Sequence, residues 1–154
     1  MNNPSHKVEI ACARATCACV VVMKDDVARN SFKPAITPIL RILSDALNRS
    51  DEVDATSIIE YLVEIASIQP LFFKQVLDDI VKAMSSIAGS GDLDFSTRSI
   101  ALEFILTICE VAPALARKCT NISQHIIPLL FTMLFESSTE VDQAAWARGK
   151  YSGR

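Results

Sequence analysis

Downstream of residue 50 the apolar positions fall on helical spacing. Ile58, Ile59, Leu62, Val63, Ile65 and Ala66 recur three and four apart up to Gln69 and Pro70. Asp51 and Asp54 supply N-terminal chemistry for this helix, because short acidic side chains accept bonds from free backbone N–H groups. Pro70 is tolerated as the opening residue of a second helix, in which Phe72, Val76, Ile80 and Met84 are four apart and flanked by Phe73, Leu77 and Val81. The Gly-Ser-Gly at residues 89–91 ends that pattern in a loop.

The same plan is then repeated. Ile58–Gln75 (IIEYLVEIASIQPLFFKQ) reappears as Ala101–Lys118 (ALEFILTICEVAPALARK), pairing Pro70 with Pro113, Glu60 with Glu103, Tyr61 with Phe104 and Lys74 with Arg117 at a spacing of 43 residues. The third unit therefore runs from Thr97 to Val111 and, after Pro113, through a turn into Ile122–Phe135. There Val76 matches Ile122 at 46, so about three residues are inserted between the helices. Pro128 inside that run removes one backbone donor and is expected to kink the helix. Upstream, Phe32, Ile36, Ile39 and Leu43 match Phe73, Leu77, Ile80 and Met84 at a spacing of 41, with Val8–Met23 as the preceding partner helix.

Periods of 41 to 46 with two helices and a proline between them are those of HEAT repeats. The expected fold is all-α: an α-solenoid of about three antiparallel A/B helix pairs, at residues 7–49, 50–90 and 92–136. Residues 137–154 lose the periodicity and are expected to form a frayed or disordered tail. Val20, Val21, Val22 and Met23 give the first helix little of the polar outer face that caps a solenoid, as in a slice of a longer array.

Composition narrows the function classes. Half the 154 residues are apolar, enough for a continuous core, and the formal charge of −3 provides no basic field for nucleic acid. Basic partners are more compatible than acidic ones. Cys12, Cys17, Cys19, Cys109 and Cys119 lie among small apolar residues without a CxxC pair, and they read as reduced packing residues rather than as metal ligands. No cofactor is expected. The apolar run Ala15–Met23 is too short to span a bilayer, and the polar Asn2, Asn3 and Ser5 do not resemble a secretory leader, so no membrane role is expected.

More specific signals lie in the third unit. Ile100–Glu110 (IALEFILTICE) leads into Arg117–Pro128 (RKCTNISQHIIP), and this segment resembles the importin-β, or karyopherin-β, nuclear transport receptors, in particular their importin five branch. Val63-Glu-Ile-Ala66 followed by Pro70 and Phe73 is similar to the preceding repeat of that branch. The resemblance covers roughly residues 30–136. It implies shuttling between cytoplasm and nucleus, basic cargo signals bound on the B helices, phenylalanine-glycine repeats of pore proteins bound between A helices, and release of cargo by the GTP-bound Ran GTPase. The family's Ran contacts lie in earlier repeats, so Ran binding is expected only of a longer chain. After Glu136 the family carries an acidic insert. Here only Glu136, Glu140 and Asp142 are acidic before Trp146, and Arg148 and Lys150 follow.

Each candidate residue has two readings. Asp45, Asp78 and Asp79 fall on B helices opposite the apolar stripes, either as contacts for basic cargo or as ordinary solvated carboxylates. Phe72, Phe73 and Phe104 either line a groove for phenylalanine-glycine repeats or pack in the core. Glu60 and Glu64 share a helix face, but no base, pocket or nucleophile accompanies them, and no catalysis is expected. His125 is expected to pack or cap, and Thr120 or Asn121 to open the last helix. A HEAT scaffold that holds enzymes together, or a nonfunctional truncated relative, is the competing reading. Exposed apolar ends predict self-association.

Overall fold

A computed structural model describes residues 4–147, with side chains at 5–122, 124 and 126–136. Among the described residues there are eight α-helices, two short 3₁₀ turns and no strand. The first pair comprises α1 (Pro4–Val22), the short α2 (Asp26–Asn30), a 3₁₀ turn at Lys33–Ala35 and α3 (Ile36–Asn48). The second comprises α4 (Glu52–Ile68), a 3₁₀ turn at Pro70–Phe73 and α5 (Leu77–Ala88). The third comprises α6 (Phe95–Val111), α7 (Pro113–Ala116) and α8 (Thr120–Ala147).

The A helices stand side by side, with α4 between α1 and α6, and α3 packs on both α1 and α4. Helix α5 lies against α6 and α8 of the next pair. One continuous core results, running from Ile10, Ala13 and Cys17 in α1 through Ile58, Ile59 and Leu62 to Ile105, Ile108 and Met133. Burial by a neighbour on either side explains why α4 is apolar on more than one stripe, whereas a surface helix needs a single one.

Local chemistry fixes the element ends. Asp51 caps α4 by accepting from the Asp54 N–H at 3.4 Å. Ser50 closes α3 in the left-handed region at φ 59°, and the Asp51 N–H returns to the Ala46 carbonyl at 3.0 Å. Gly89 ends α5, where an added Cβ would sit 3.2 Å from the Ser85 carbonyl oxygen.

Three expectations change. The second B helix does not run from Pro70: a 3₁₀ turn occupies Pro70–Phe73, and regular helix begins at Leu77. Pro70 has no N–H to give, and the Phe72 N–H bonds instead to the Gln69 carbonyl at 3.0 Å, which tightens the chain into a turn. The short α2 has no counterpart in the predicted elements; Asp25 caps it by accepting from the Val27 and Ala28 N–H groups. The predicted tail is helical as far as Ala147, because no glycine or proline interrupts residues 129–147 and Ala144, Ala145 and Ala147 favour the helix. Residues 148–154, with Arg148 and Lys150, lie outside the described residues, as do the side chains of His125 and Trp146.

Candidate binding surface

The joints between repeats are built from polar groups that the apolar pattern does not reveal. Arg98, in the first turn of α6, is 7% exposed. Its Nε donates to the Ala88 carbonyl at the C-terminus of α5 at 3.0 Å, and its Nη1 meets Glu136 of α8 at 2.8 Å. One guanidinium thus satisfies an orphan helix-end carbonyl and ties three helices together. Arg29 plays a similar part at the end of α1, donating to the Val20 and Met23 carbonyls and pairing with Asp26 at 2.7 Å. On the A-helix side, Glu52 of α4 accepts from the Thr97 hydroxyl at 2.6 Å and from the Asp94 N–H at 3.0 Å, so a carboxylate of one repeat caps the N-terminus of the next.

Sequence reasoning missed these residues, although a signal existed. Arg98, Ala101, Leu102, Ile105 and Ile108 form one helical row, and a charged residue inside an apolar row points to a buried cap.

The predicted aspartates are exposed but are not equivalent. Asp45 lies on α3, and Asp78 and Asp79 lie in the first turn of α5, where acidic groups favour the helix dipole. Asp78 belongs to a joint: its Oδ1 accepts from the Cys119 thiol at 2.9 Å, and its carbonyl accepts from Asn121 at 3.3 Å. Asn121 therefore reaches across to the preceding B helix. Under the 41-residue register Asp45 corresponds to Ser86 and Arg41 to Lys82, so the first two B helices share a cation rather than a carboxylate at these positions.

The three phenylalanines need a correction as groove residues. Phe72, Phe73 and Phe104 are 2%, 0% and 0% exposed. Phe73 sits edge-to-face with both neighbours, at centroid distances of 5.5 Å to Phe72 and 5.3 Å to Phe104. The rings are the apolar glue between the second and third repeats, and no incoming aromatic reaches them while the helices stay packed. The cleft that does open between α4 and α6 is lined by Glu52, Thr56, Ser57, Glu60, Ser96 and Thr97, among others, and none of the three phenylalanines lines it.

The thiols divide by burial. Burial pushes the Cys17 thiol up from 9.0 to about 11, and burial together with the Asp78 hydrogen bond does the same to Cys119. Cys109 is raised by burial as well. Cys12 and Cys19 are exposed. Thiol reagent at pH 8 is therefore expected to modify Cys12 and Cys19 quickly and to spare Cys17 and Cys119 until denaturant is added, as peptide mass mapping would show. The buried thiols hold their protons while unfolded ones lose theirs above pH 9. The folded state then binds more protons, and stability falls as pH rises between 9 and 11. Urea melts at pH 8 and pH 10 read this directly.

Among the described residues, no three His, Cys, Asp or Glu side chains come together as a metal site, and no helix is long and apolar enough to cross a membrane.

Stacked helical pairs with extended faces and polar joints define an α-solenoid segment, an architecture that works by surface contact. A family model described as "IPO5-like, TPR repeats" matches residues 1–83, and one described as "Importin repeat" matches residues 90–150. The chain belongs to the importin-β family of nuclear transport receptors, which is not a class of enzymes. Its period of 41 to 43 is that of HEAT pairs and is longer than the roughly 34 residues of a TPR unit. Importin subunit beta-3 of Saccharomyces cerevisiae is 27% identical over 107 residues, covering 70% of this chain and 10% of that protein. The solved structures of Kap121p bound to Ste12p and of Kap121p bound to RanGTP share the fold at a TM-score of 0.81 and 22% identity, covering 99% of this chain and 15% of theirs. The chain thus spans a small part of the length of its relatives.

Proposed function

We propose that the chain is a protein-binding segment of an importin-type nuclear import receptor and that it contacts basic cargo signals through its B helices, with Asp45 and Asp79 as the contacting carboxylates. The observation that carries this reading is the family match across both halves of the chain. Exposed carboxylates on α3 and α5 add a complementary charge. Asp78 contributes less, because one of its oxygens is already engaged by Cys119. Kap121p has been solved bound to Ste12p and to Nup53p, which supports protein cargo and pore proteins as the classes of partner. Pore-protein repeats stay in the proposal at that level, with no groove at Phe72, Phe73 or Phe104. Shuttling between cytoplasm and nucleus follows from the same reading.

A pull-down from cytosol with the tagged chain, analysed by mass spectrometry with and without GTP-loaded Ran, tests it. Basic nuclear proteins are expected to be retained, and their loss when Ran is added would show that a Ran site lies within this segment. A folded chain that enriches neither basic nuclear proteins nor pore proteins favours the scaffold reading and removes the transport assignment.

A further inference from the structure

Between the last two B helices the structure opens a cleft of about 450 Å³, with Lys82, Ser85 and Ser86 of α5 on one wall and Asn121, Leu129 and Thr132 of α8 on the other. Its hydrogen-bonding groups are unequally used. Ser86 donates to the Lys82 carbonyl at 3.0 Å and Thr132 to the Pro128 carbonyl at 3.1 Å, as hydroxyls inside helices commonly do. Ser85 does not: its Oγ is covered from solvent and makes no hydrogen bond. Such a hydroxyl is unfavourable where it stands, and no bond fixes its rotamer, so rotation about χ1 brings it to the cleft. Asn121 uses one amide hydrogen on the Asp78 carbonyl at 3.3 Å and keeps the second. Lys82 is exposed and, among the described residues, takes part in no ion pair. The groups left over are therefore chiefly donors, and the one charge on the lining is a cation.

From these unused donors we infer that the α5/α8 cleft receives a single acidic side chain, aspartate or glutamate, carried within the basic segment that the B helices bind, an assignment that rests on the cargo reading above. Lys82, Asn121 and Ser85 bond the carboxylate, and Leu129 packs on its methylene stem. Asp78 and Asp79 stand one turn before Lys82 on α5 and limit the charge: one carboxylate balances one lysine, whereas a phosphorylated side chain or a run of acidic residues meets repulsion. The same aspartates favour lysine or arginine beside the acidic residue. The arrangement is confined to this joint. At a spacing of 41, Arg41 and Ser44 of α3 match Lys82 and Ser85, but Asp45 replaces Ser86 and sets a carboxylate beside the cation. At 46, Pro128 of α8 stands in place of Lys82. The cleft thus fixes one register of the bound segment rather than adding a uniform attraction.

Anisotropy titration of the full 154-residue chain with fluorescent lysine-rich peptides, in which one glutamate or one glutamine is placed at each position in turn, tests this inference. At one position the glutamate peptide is expected to bind about fivefold tighter than its glutamine twin, and at the others equally or more weakly, because elsewhere it meets exposed carboxylates. Lys82→Gln is expected to abolish that advantage and Ser85→Ala to reduce it, both with unchanged far-ultraviolet circular dichroism spectra, since Lys82 is exposed and the Ser85 hydroxyl bonds nothing. Lys7→Gln, which removes an exposed cation on α1, is expected to retain the advantage. Glutamine twins that bind as well as or better than glutamate at every position, or an advantage that survives Lys82→Gln, would overturn the inference and leave the basic-cargo proposal standing. Binding of no peptide would overturn both.

Discussion

Phe73→Ala is expected to lower the unfolding free energy by about 4 kcal/mol, the largest loss anticipated for any single truncation in this chain. The ring is wholly buried and is the middle member of an edge-to-face trio that spans two repeats. Truncation removes its transfer energy, leaves a cavity and breaks two aromatic contacts, each of which contributes roughly 0.5–1.5 kcal/mol beyond area burial. The midpoint of thermal unfolding should fall by roughly 10 °C for a chain of this size. Because Phe72 and Phe73 belong to the second repeat and Phe104 to the third, the loss falls on the coupling between neighbours. Amide exchange is expected to accelerate in α6 and α8 more than in α1, as a nearest-neighbour description of a solenoid requires. Phe73→Leu keeps most of the volume and is expected to lose only about 1–2 kcal/mol. Urea unfolding followed by circular dichroism measures both variants, and a loss below about 1 kcal/mol for the alanine variant would contradict this description of the joint.

Arg98→Met should be the next most damaging change, lowering stability by about 2–3 kcal/mol although it keeps the side-chain volume and removes only polar contacts. The Ala88 carbonyl would lose the guanidinium that caps it at 3.0 Å in a residue that is fully buried. Arg98→Lys is expected to recover about half of this loss, since a single ammonium cannot reproduce the fork that reaches Ala88 and Glu136 together. Removing the other partner is milder. The Glu136 carboxylate is partly exposed and rehydrates when unpaired, so Glu136→Gln should lose under about 1 kcal/mol. Equilibrium denaturation of the two single variants and the double variant gives the coupling directly. An Arg98→Met variant within about 0.5 kcal/mol of the parent would show that the cap contributes nothing.

Helical pairing was legible in the sequence because period and punctuation agree: Pro70 and Pro113 recur 43 residues apart, and Gly89 stops α5 where the apolar row ends. What escaped the sequence depends on contacts between repeats. Phe72, Phe73 and Phe104 lie on apolar stripes, so both a groove and a core fit the pattern, and only packing of the second repeat on the third settles them as core. Asp78 looks like its neighbour Asp79 until α8 brings Cys119 and Asn121 beside it. Arg98 interrupts an apolar row and Arg29 lies in none, yet Arg29 and Arg98 have carbonyl partners 9 and 10 residues away on a preceding helix, beyond the reach of any period. Residues 137–147 lose the apolar repeat but keep strong helix formers, and propensity carries α8 onward where periodicity alone predicted fraying.

The exposed carboxylates that remain after this sorting are the test of function. Titration of the folded chain with a fluorescent lysine-rich nuclear-localisation peptide, read by anisotropy at several salt concentrations, addresses the import-receptor proposal most directly. Saturable binding is expected, weakening as salt screens the exposed charges, with Asp45→Lys/Asp79→Lys reducing affinity by about tenfold, or about 1.4 kcal/mol. Failure of the folded chain to bind, or equal binding of an acidic peptide of the same length, would contradict the account.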